Sequence, residues 1–171
     1  MRVSDALVPS AIIPHSPCTT LRATIASLID RLVGAGRLPA PLAAGAVAAV
    51  LEREAVTSTA MVEIGVSIPH ARLEGIDGVV AAIAASPEAV YEVAAGLPIS
   101  IVALVLSSPS LTGEHLQFLS ALSILLQSER LRDALRHAAS AHDPPPCSGT
   151  PYPRLWTGTV ASSPRKRTSP T

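Results

Sequence analysis

From Leu21 onward, apolar residues return at Ile25, Leu28, Ile29, Leu32 and Val33, with Arg22, Asp30 and Arg31 between them. This period predicts a helix with one buried face. Thr19 or Thr20 supplies an oxygen to cap its start, and Gly34 or Gly36 a place for it to end. After Pro39 and Pro41 an Ala-rich stretch runs to Arg53 and Glu54, apolar nearly all round, which predicts a second and well-buried helix. The period then changes. Residues 66–68, 79–84 and 99–106 are short, rich in Val and Ile, and bounded by Gly, Pro or Ser, as buried strands are. The unbroken run Ile101-Val102-Ala103-Leu104-Val105-Leu106 marks the central strand, and residues 11–13 an edge strand ending at Pro14. Between the second and third strands, residues 87–94 are expected to form a short helix, with Ser86 capping and Pro87 in its first position. That connection is long enough for a crossover. Past Pro109, the positions Leu116, Leu119, Leu122, Leu125 and Leu126 predict an amphipathic helix capped by Thr112, and a last helix is expected from Glu129 to about Ala139.

Helices and strands in this order indicate an α/β sandwich with a mixed central sheet flanked by helices. Beyond His142 the chain turns to Asp-Pro-Pro-Pro and then to scattered Pro, Ser, Thr and Arg without period. Residues 1–142 are therefore expected to form one domain and residues 143–171 a disordered Pro/Ser/Arg-rich tail. Trp156 and the Arg165-Lys166-Arg167 cluster fall in that tail and read as solvated.

Composition narrows the function classes. Apolar residues make up 48% of the 171-residue chain but aromatics only 2%, so Ala, Val, Ile and Leu must fill the core. Thirteen basic residues balance thirteen acidic ones, and Lys166 is the single lysine. The body thus lacks the basic stripe that tracks nucleic-acid phosphates, and nucleic-acid binding is not expected. Cys18 and Cys147 are too few and too far apart for a disulfide framework or a metal pair, and read as free thiols. The apolar stretch near the start is broken at Pro9 and Pro14, unlike a signal peptide. No run approaches the roughly 20 apolar residues that span a bilayer. A cytoplasmic protein without direct membrane insertion is expected.

The chemistry concentrates around His70. Residues 66–68 form a strand, Pro69 stops it, and His70 is delivered at its end, where the loops of α/β sheets build sites. A free imidazole titrates near about 6.5, so at cytosolic pH most of it keeps a lone pair able to attack phosphorus. Taken alone, a histidine after proline is more often an ordinary surface or hydrogen-bonded residue. His115 falls in the first turn of the helix expected after Pro109, on the face of Leu119, Leu122 and Leu126. Helix N-termini favour an anion and disfavour a charged imidazole, which would make His115 a neutral hydrogen-bond donor beside an anion site. Taken alone, it reads as well as a satisfied core histidine.

Three segments change the weighing: Arg53-Glu54 followed by Ser58-Thr59, then Gly65-Val66-Ser67-Ile68-Pro69-His70-Ala71-Arg72, then Glu114-His115-Leu116 continuing to Leu119-Ser120-Ala121-Leu122. In combination this pattern resembles the enzyme IIA family of the fructose, mannitol and nitrogen-regulatory branches of the bacterial sugar phosphotransferase system, over residues 3–140. The resemblance implies an α/β sandwich and a histidine that takes a phosphoryl group from the phosphocarrier HPr, which corresponds to His70. It also implies that His115 supports the site and that Arg53 belongs to it. His115 and Arg53 are then assigned to the phosphoryl oxygens, with Thr59 as an additional candidate, while Arg72 either touches phosphate or docks an acidic patch on a partner. The phosphate passes onward to a IIB domain, or its presence on His70 acts as a regulatory switch that sets the choice of target protein. A family member that binds partners without being phosphorylated is the third possibility, and the presence of both histidines and Arg53 argues against it. No cofactor is implied. Zinc would need three or four ligands, and no Cys or acidic cluster accompanies the two histidines, so no metal is expected. The chain departs from the family pattern in residues 60–64, where a Gly-rich stretch is usual and one residue is extra, and in Gly96-Leu97-Pro98, where an acidic residue is often found.

Overall fold

The computed structural model describes residues 3–16 and 20–138. In chain order the elements are α1 (Val3–Ala6), β1 (Leu7–Ile13), α2 (Leu21–Gly34), α3 (Ala43–Val56), β2 (Ala60–Met61), β3 (Val66–Ser67), β4 (His70–Arg72), β5 (Val79–Ala85), β6 (Tyr91–Glu92), β7 (Pro98–Ile99), β8 (Ile101–Ser107), α4 (Thr112–Leu126) and α5 (Glu129–Arg136). Single 3-10 turns, Ala40–Leu42 and Val62–Ile64, precede α3 and β3. Cys18, Cys147, Trp156, the Arg165-Lys166-Arg167 cluster and the expected tail lie outside the described residues, as does the alternative cap Thr19.

β8 is the central strand, as its unbroken apolar run predicts. It pairs antiparallel with β5 on one side and parallel with β3 and β4 on the other. β1 lies parallel outside β5 and β2 antiparallel outside β3, so the sheet is mixed. β1 is the expected edge strand, extended back to Leu7. Side chains alternate strictly along the two inner strands. Val80, Ala82 and Ala84 with Val102, Leu104 and Leu106 meet Ile25, Leu28, Ile29 and Leu32 of α2 and Ala46 and Val50 of α3. The intervening residues Val79, Ala81, Ile83, Ile101, Ala103 and Val105 meet Phe118, Leu122 and Leu126 of α4 and Leu135 of α5. Each face of the sheet thus carries its own aliphatic core, which is how a chain so poor in aromatics fills its interior.

Helix ends follow their local chemistry. Thr20 accepts the N–H of Ala23 at 3.1 Å to cap α2. The chain leaves α2 through Gly36, whose positive φ (66°) is open to a residue without Cβ. α4 starts at Thr112 without a side-chain cap, so the expected Thr112 cap is not made; its hydroxyl reaches back to the Pro109 carbonyl at 3.5 Å. α5 is capped by Ser128 and ends at Arg136, short of Ala139.

Three expectations are corrected. Residues 87–94 are not helical: Val90 N–H donates to Ile99 O at 2.7 Å, and β6 and β7 form a small antiparallel hairpin. Val90, Tyr91 and Ile99 drop into the core, a burial that a short exposed helix would forfeit. Because β5 and β8 are antiparallel, the connection needs no crossover. Residues 99–106 are not one strand either: Ile99 pairs in the β6–β7 hairpin, and Ser100 donates its N–H to Gly65 O at 2.8 Å before β8 begins. Finally, α3 is not buried all round; only Ala46, Val50 and Glu54 are. Ala44, Ala48 and Ala55 face solvent, where a methyl group costs little.

Candidate functional site

β3 and β4 form one interrupted strand beside β8. The interruption is Ile68-Pro69, where Pro69 has no N–H to donate and its carbonyl accepts from Val105 at 3.0 Å. Pairing resumes with His70 opposite Val105 and Arg72 opposite Ser107. Val105 faces α4, so parallel register sends His70 and Arg72 to that same side, while Ala71 turns to the α2–α3 core. His115 descends from the first turn of α4 onto this edge. The two imidazole centroids are 5.4 Å apart, with the rings tilted by 53°.

Around them opens a groove of about 610 Å³. Its walls are Arg53, Glu52 and Val56 from α3, His70 and Arg72 from β4, and His115, Leu116 and Leu119 from α4. Neither Arg53 nor Arg72 is ion-paired among the described residues. The Arg53 guanidinium donates to Thr57 O at 3.1 Å, which holds it at the C-terminal end of α3. Two arginines against the one carboxylate of Glu52 leave the groove net positive, a setting for an anion.

The histidines differ. His70 is half-buried and its Nδ1 lies 2.9 Å from Ile68 O. A carbonyl only accepts, so Nδ1 carries a proton and, in the neutral ring, Nε2 carries the lone pair. His115 is 4% exposed, and its Nδ1 lies 2.7 Å from the hydroxyl of the fully buried Ser107. Burial chiefly, then the neighbouring His70 and Arg72, hold its pKa below the usual imidazole value, so it is neutral at neutral pH.

The fold therefore brings His70, His115, Arg53 and Arg72 to one groove. Thr59 stands apart, in an adjoining cavity of about 190 Å³ that shares His70 and Leu119. Its hydroxyl donates to Glu54 Oε1 at 2.6 Å and its N–H to Oε2 at 3.0 Å. With that proton committed, Ser67 donates to Thr59 at 3.3 Å. Burial, with Glu54 nearby, raises the Tyr91 pKa against the opposing effect of Ser67. This directional chain clamps the loop after α3 to β3. Glu54 is a structural anchor that its place beside Arg53 does not announce. The signal was present in its position, a carboxylate in the last turn of a helix followed by Thr57-Ser58-Thr59.

The sequence profile of the family described as "Phosphoenolpyruvate-dependent sugar phosphotransferase system, EIIA 2" matches residues 7–143. The chain belongs to this EIIA family. It is 34% identical over 127 residues to the fructose-specific EIIA component of the phosphotransferase system of Haloferax volcanii, covering 74% of this chain and 80% of that protein. Its fold matches the crystal structure of nitrogen regulatory protein IIA-Ntr from Neisseria meningitidis with a TM-score of 0.67, at 25% identity over 80% of this chain and 91% of that one. The mannitol enzyme IIA of Escherichia coli, solved in complex with phosphorylated mannitol enzyme IIB, shares the fold at a TM-score of 0.62 and 19% identity, over 79% and 91% of the two chains. As an EIIA, the protein is a phosphocarrier component of a phosphotransferase system, and the expected α/β fold with its mixed sheet is the one it adopts. No helix among the described residues is long and apolar enough to cross a membrane.

Proposed function

We propose that His70 accepts a phosphoryl group from a phospho-HPr-type carrier and passes it to the cysteine of a IIB domain. The supporting observation is the His70 ring itself: Nδ1 is occupied by Ile68 O, and Nε2 is left with its lone pair in a net-positive groove. In the transfer, Nε2 attacks phosphorus in line, the Nε2–P bond forms and the donor's N–P bond breaks. The electron pair of the broken bond returns to the donor imidazole, and the proton on Nδ1 stays where Ile68 O holds it. The ring becomes cationic as the bond forms, and the carbonyl dipole offsets that charge. Positioning and charge stabilisation carry such a transfer. Arg53 and His115 are assigned to the equatorial oxygens and Arg72 to the outer rim, where it meets phosphate or the approaching partner. Thr59 is assigned to holding the loop, because its hydroxyl proton is already used. No step calls for a metal or a cofactor.

The Haloferax relative supports a fructose-type role, and the IIB-bound mannitol IIA supports a IIB acceptor. A second reading, a regulatory protein whose partner choice follows the state of His70, is supported by the likeness to the Neisseria nitrogen regulatory protein. In either role the protein works in the cytoplasm. Residues 1–142 are the working domain and residues 143–171 an appended tail.

Incubation with enzyme I, HPr and phosphoenolpyruvate is expected to place an acid-labile, alkali-stable phosphate on the protein. His70→Ala is expected to abolish that label. Equal labelling of the variant would overturn the assignment. Pull-downs in both phosphorylation states then separate a IIB acceptor from a regulatory target.

A further inference from the structure

Ser107 ends β8, and its side chain is fully buried. Its backbone is engaged on both sides, with the carbonyl accepting from Leu73 N–H at 2.9 Å and the residue in register with Val79. Among the described residues, the hydroxyl has one recorded partner, Nδ1 of His115 at 2.7 Å. A hydroxyl carries one proton and imidazole Nδ1 either donates or accepts, so two arrangements exist. If Nδ1–H donated to Ser107, the serine proton would be left buried without an acceptor, and a buried unmade hydrogen bond is the costly case. If Ser107 donates to Nδ1, both atoms are satisfied and the imidazole proton moves to Nε2. The second arrangement requires a neutral imidazole. The groups facing His115 favour that form, since His70 and Arg72 on β4 are both basic and burial acts in the same direction.

With Nδ1 turned inward to Ser107, the ring edge that carries Nε2 is the one left to line the groove beside His70. From this geometry we infer that Ser107 is a positioning residue, which fixes His115 in the Nε2–H tautomer and so aims a neutral N–H donor at the phosphoryl group on His70. The inference rests on the acceptor role proposed for His70. The pairing is complementary. On His70 a backbone carbonyl holds the proton on Nδ1 and frees Nε2 to attack; on His115 a serine hydroxyl holds the proton off Nδ1 and makes Nε2 a donor. Two neighbouring imidazoles are thereby given opposite tasks by the hydrogen-bond type of one partner each.

The experiment uses the full chain with 15N-labelled histidine. Long-range 1H–15N correlation near neutral pH is expected to find His115 as the Nε2–H tautomer. In Ser107→Ala the His115 proton is expected to redistribute toward Nδ1, and the maximal rate of transfer from phospho-HPr to fall about tenfold, part of what losing a transition-state donor outright costs. The apparent KM for phospho-HPr is expected to stay unchanged, because Ser107 does not reach the docking surface. Ser107→Thr, which keeps the hydroxyl, is expected to restore both tautomer and rate. An Nδ1–H tautomer in the wild-type protein would overturn the inference. So would a Ser107→Ala variant that keeps the wild-type tautomer, whatever its rate, or one that changes tautomer without slowing. Failure of the wild-type protein to accept phosphate would instead sink the acceptor role of His70, while the tautomer spectrum still decides what Ser107 does.

Discussion

His70 and His115 are chemically identical side chains whose behaviour is set by what each touches. His115 carries a thermodynamic signature because it is buried and its pKa is held down by burial, His70 and Arg72, in that order. The unfolded chain takes up a proton near the ordinary imidazole value of about 6.5, whereas the folded chain resists it until lower pH. Stability therefore rises with pH wherever the unfolded state binds more protons, and this contribution is lost as pH falls below about 6.5. His115→Gln removes the titration while keeping a polar side chain. Thermal melts from pH 8 down to pH 5 are expected to fall more steeply for the wild-type protein than for this variant, starting near pH 6.5. Parallel curves would show that His115 protonates equally in both states. Arg72 and Thr59 illustrate what a residue type leaves open. The sequence put both near the site, and only the hydrogen bonds of Glu54 reveal that the Thr59 hydroxyl is spent on the loop.

At the scale of elements, the delivery of His70 depends on the turn before β3. Gly65 adopts φ 65° and ψ 34°, and its carbonyl accepts from both Ser100 and Ile101. A Cβ there would meet Ser100 Oγ at 3.2 Å, so alanine adds crowding to left-handed strain. The strain alone costs about 1–2 kcal/mol, and Gly65→Ala is expected to lower the melting temperature by roughly 3–8 °C. A calorimetric scan of the two proteins checks it. The strands β5 and β8 and the helices α2 and α4 were legible because each repeats its pattern for two turns or more, or for a full strand. The stretch 87–94 was not, because Ser86-Pro87 is a true local start signal: Ser86 Oγ does accept the Glu88 N–H, at 3.4 Å. Val90 and Tyr91 override it by pairing with Ile99, a contact that no local window contains. Likewise the leucines of α4 do not all share one buried face: Leu116 is 59% and Leu125 44% exposed, while Phe118 takes the core position. Leu116 sits instead on the groove wall, open to an approaching partner.

For the molecule as a whole, the two aliphatic cores draw, among the described residues, on side chains from Ala6 to Leu135. If residues 1–142 are the working unit, a chain ending at His142 should melt at the same temperature as the full chain and take up phosphate at the same rate. A lower melting temperature would place part of the tail in the fold, and a slower transfer would give it a role in partner recognition. The groove lies where α3 of one layer and α4 of the other pass β4, so its walls come from both layers. Destabilising either layer is therefore felt at the same place.

By itself the sequence determined the periods that make helices and strands, the proline that interrupts the strand just before His70, and the motif combination that points to the EIIA family. These are local facts, carried by neighbouring residues and by their order; that pairing resumes at His70, which is not a loop residue but opens β4, was not legible in them. Only the tertiary structure decided that β5 and β8 run antiparallel, that residues 87–94 join a hairpin, and that His115 meets Ser107 while His70 meets Ile68 O. The reason is that register and burial are settled by contacts between segments distant along the chain. The protonation of each imidazole follows from those contacts, because the residue type supplies two nitrogens and the fold supplies the partner that tells them apart.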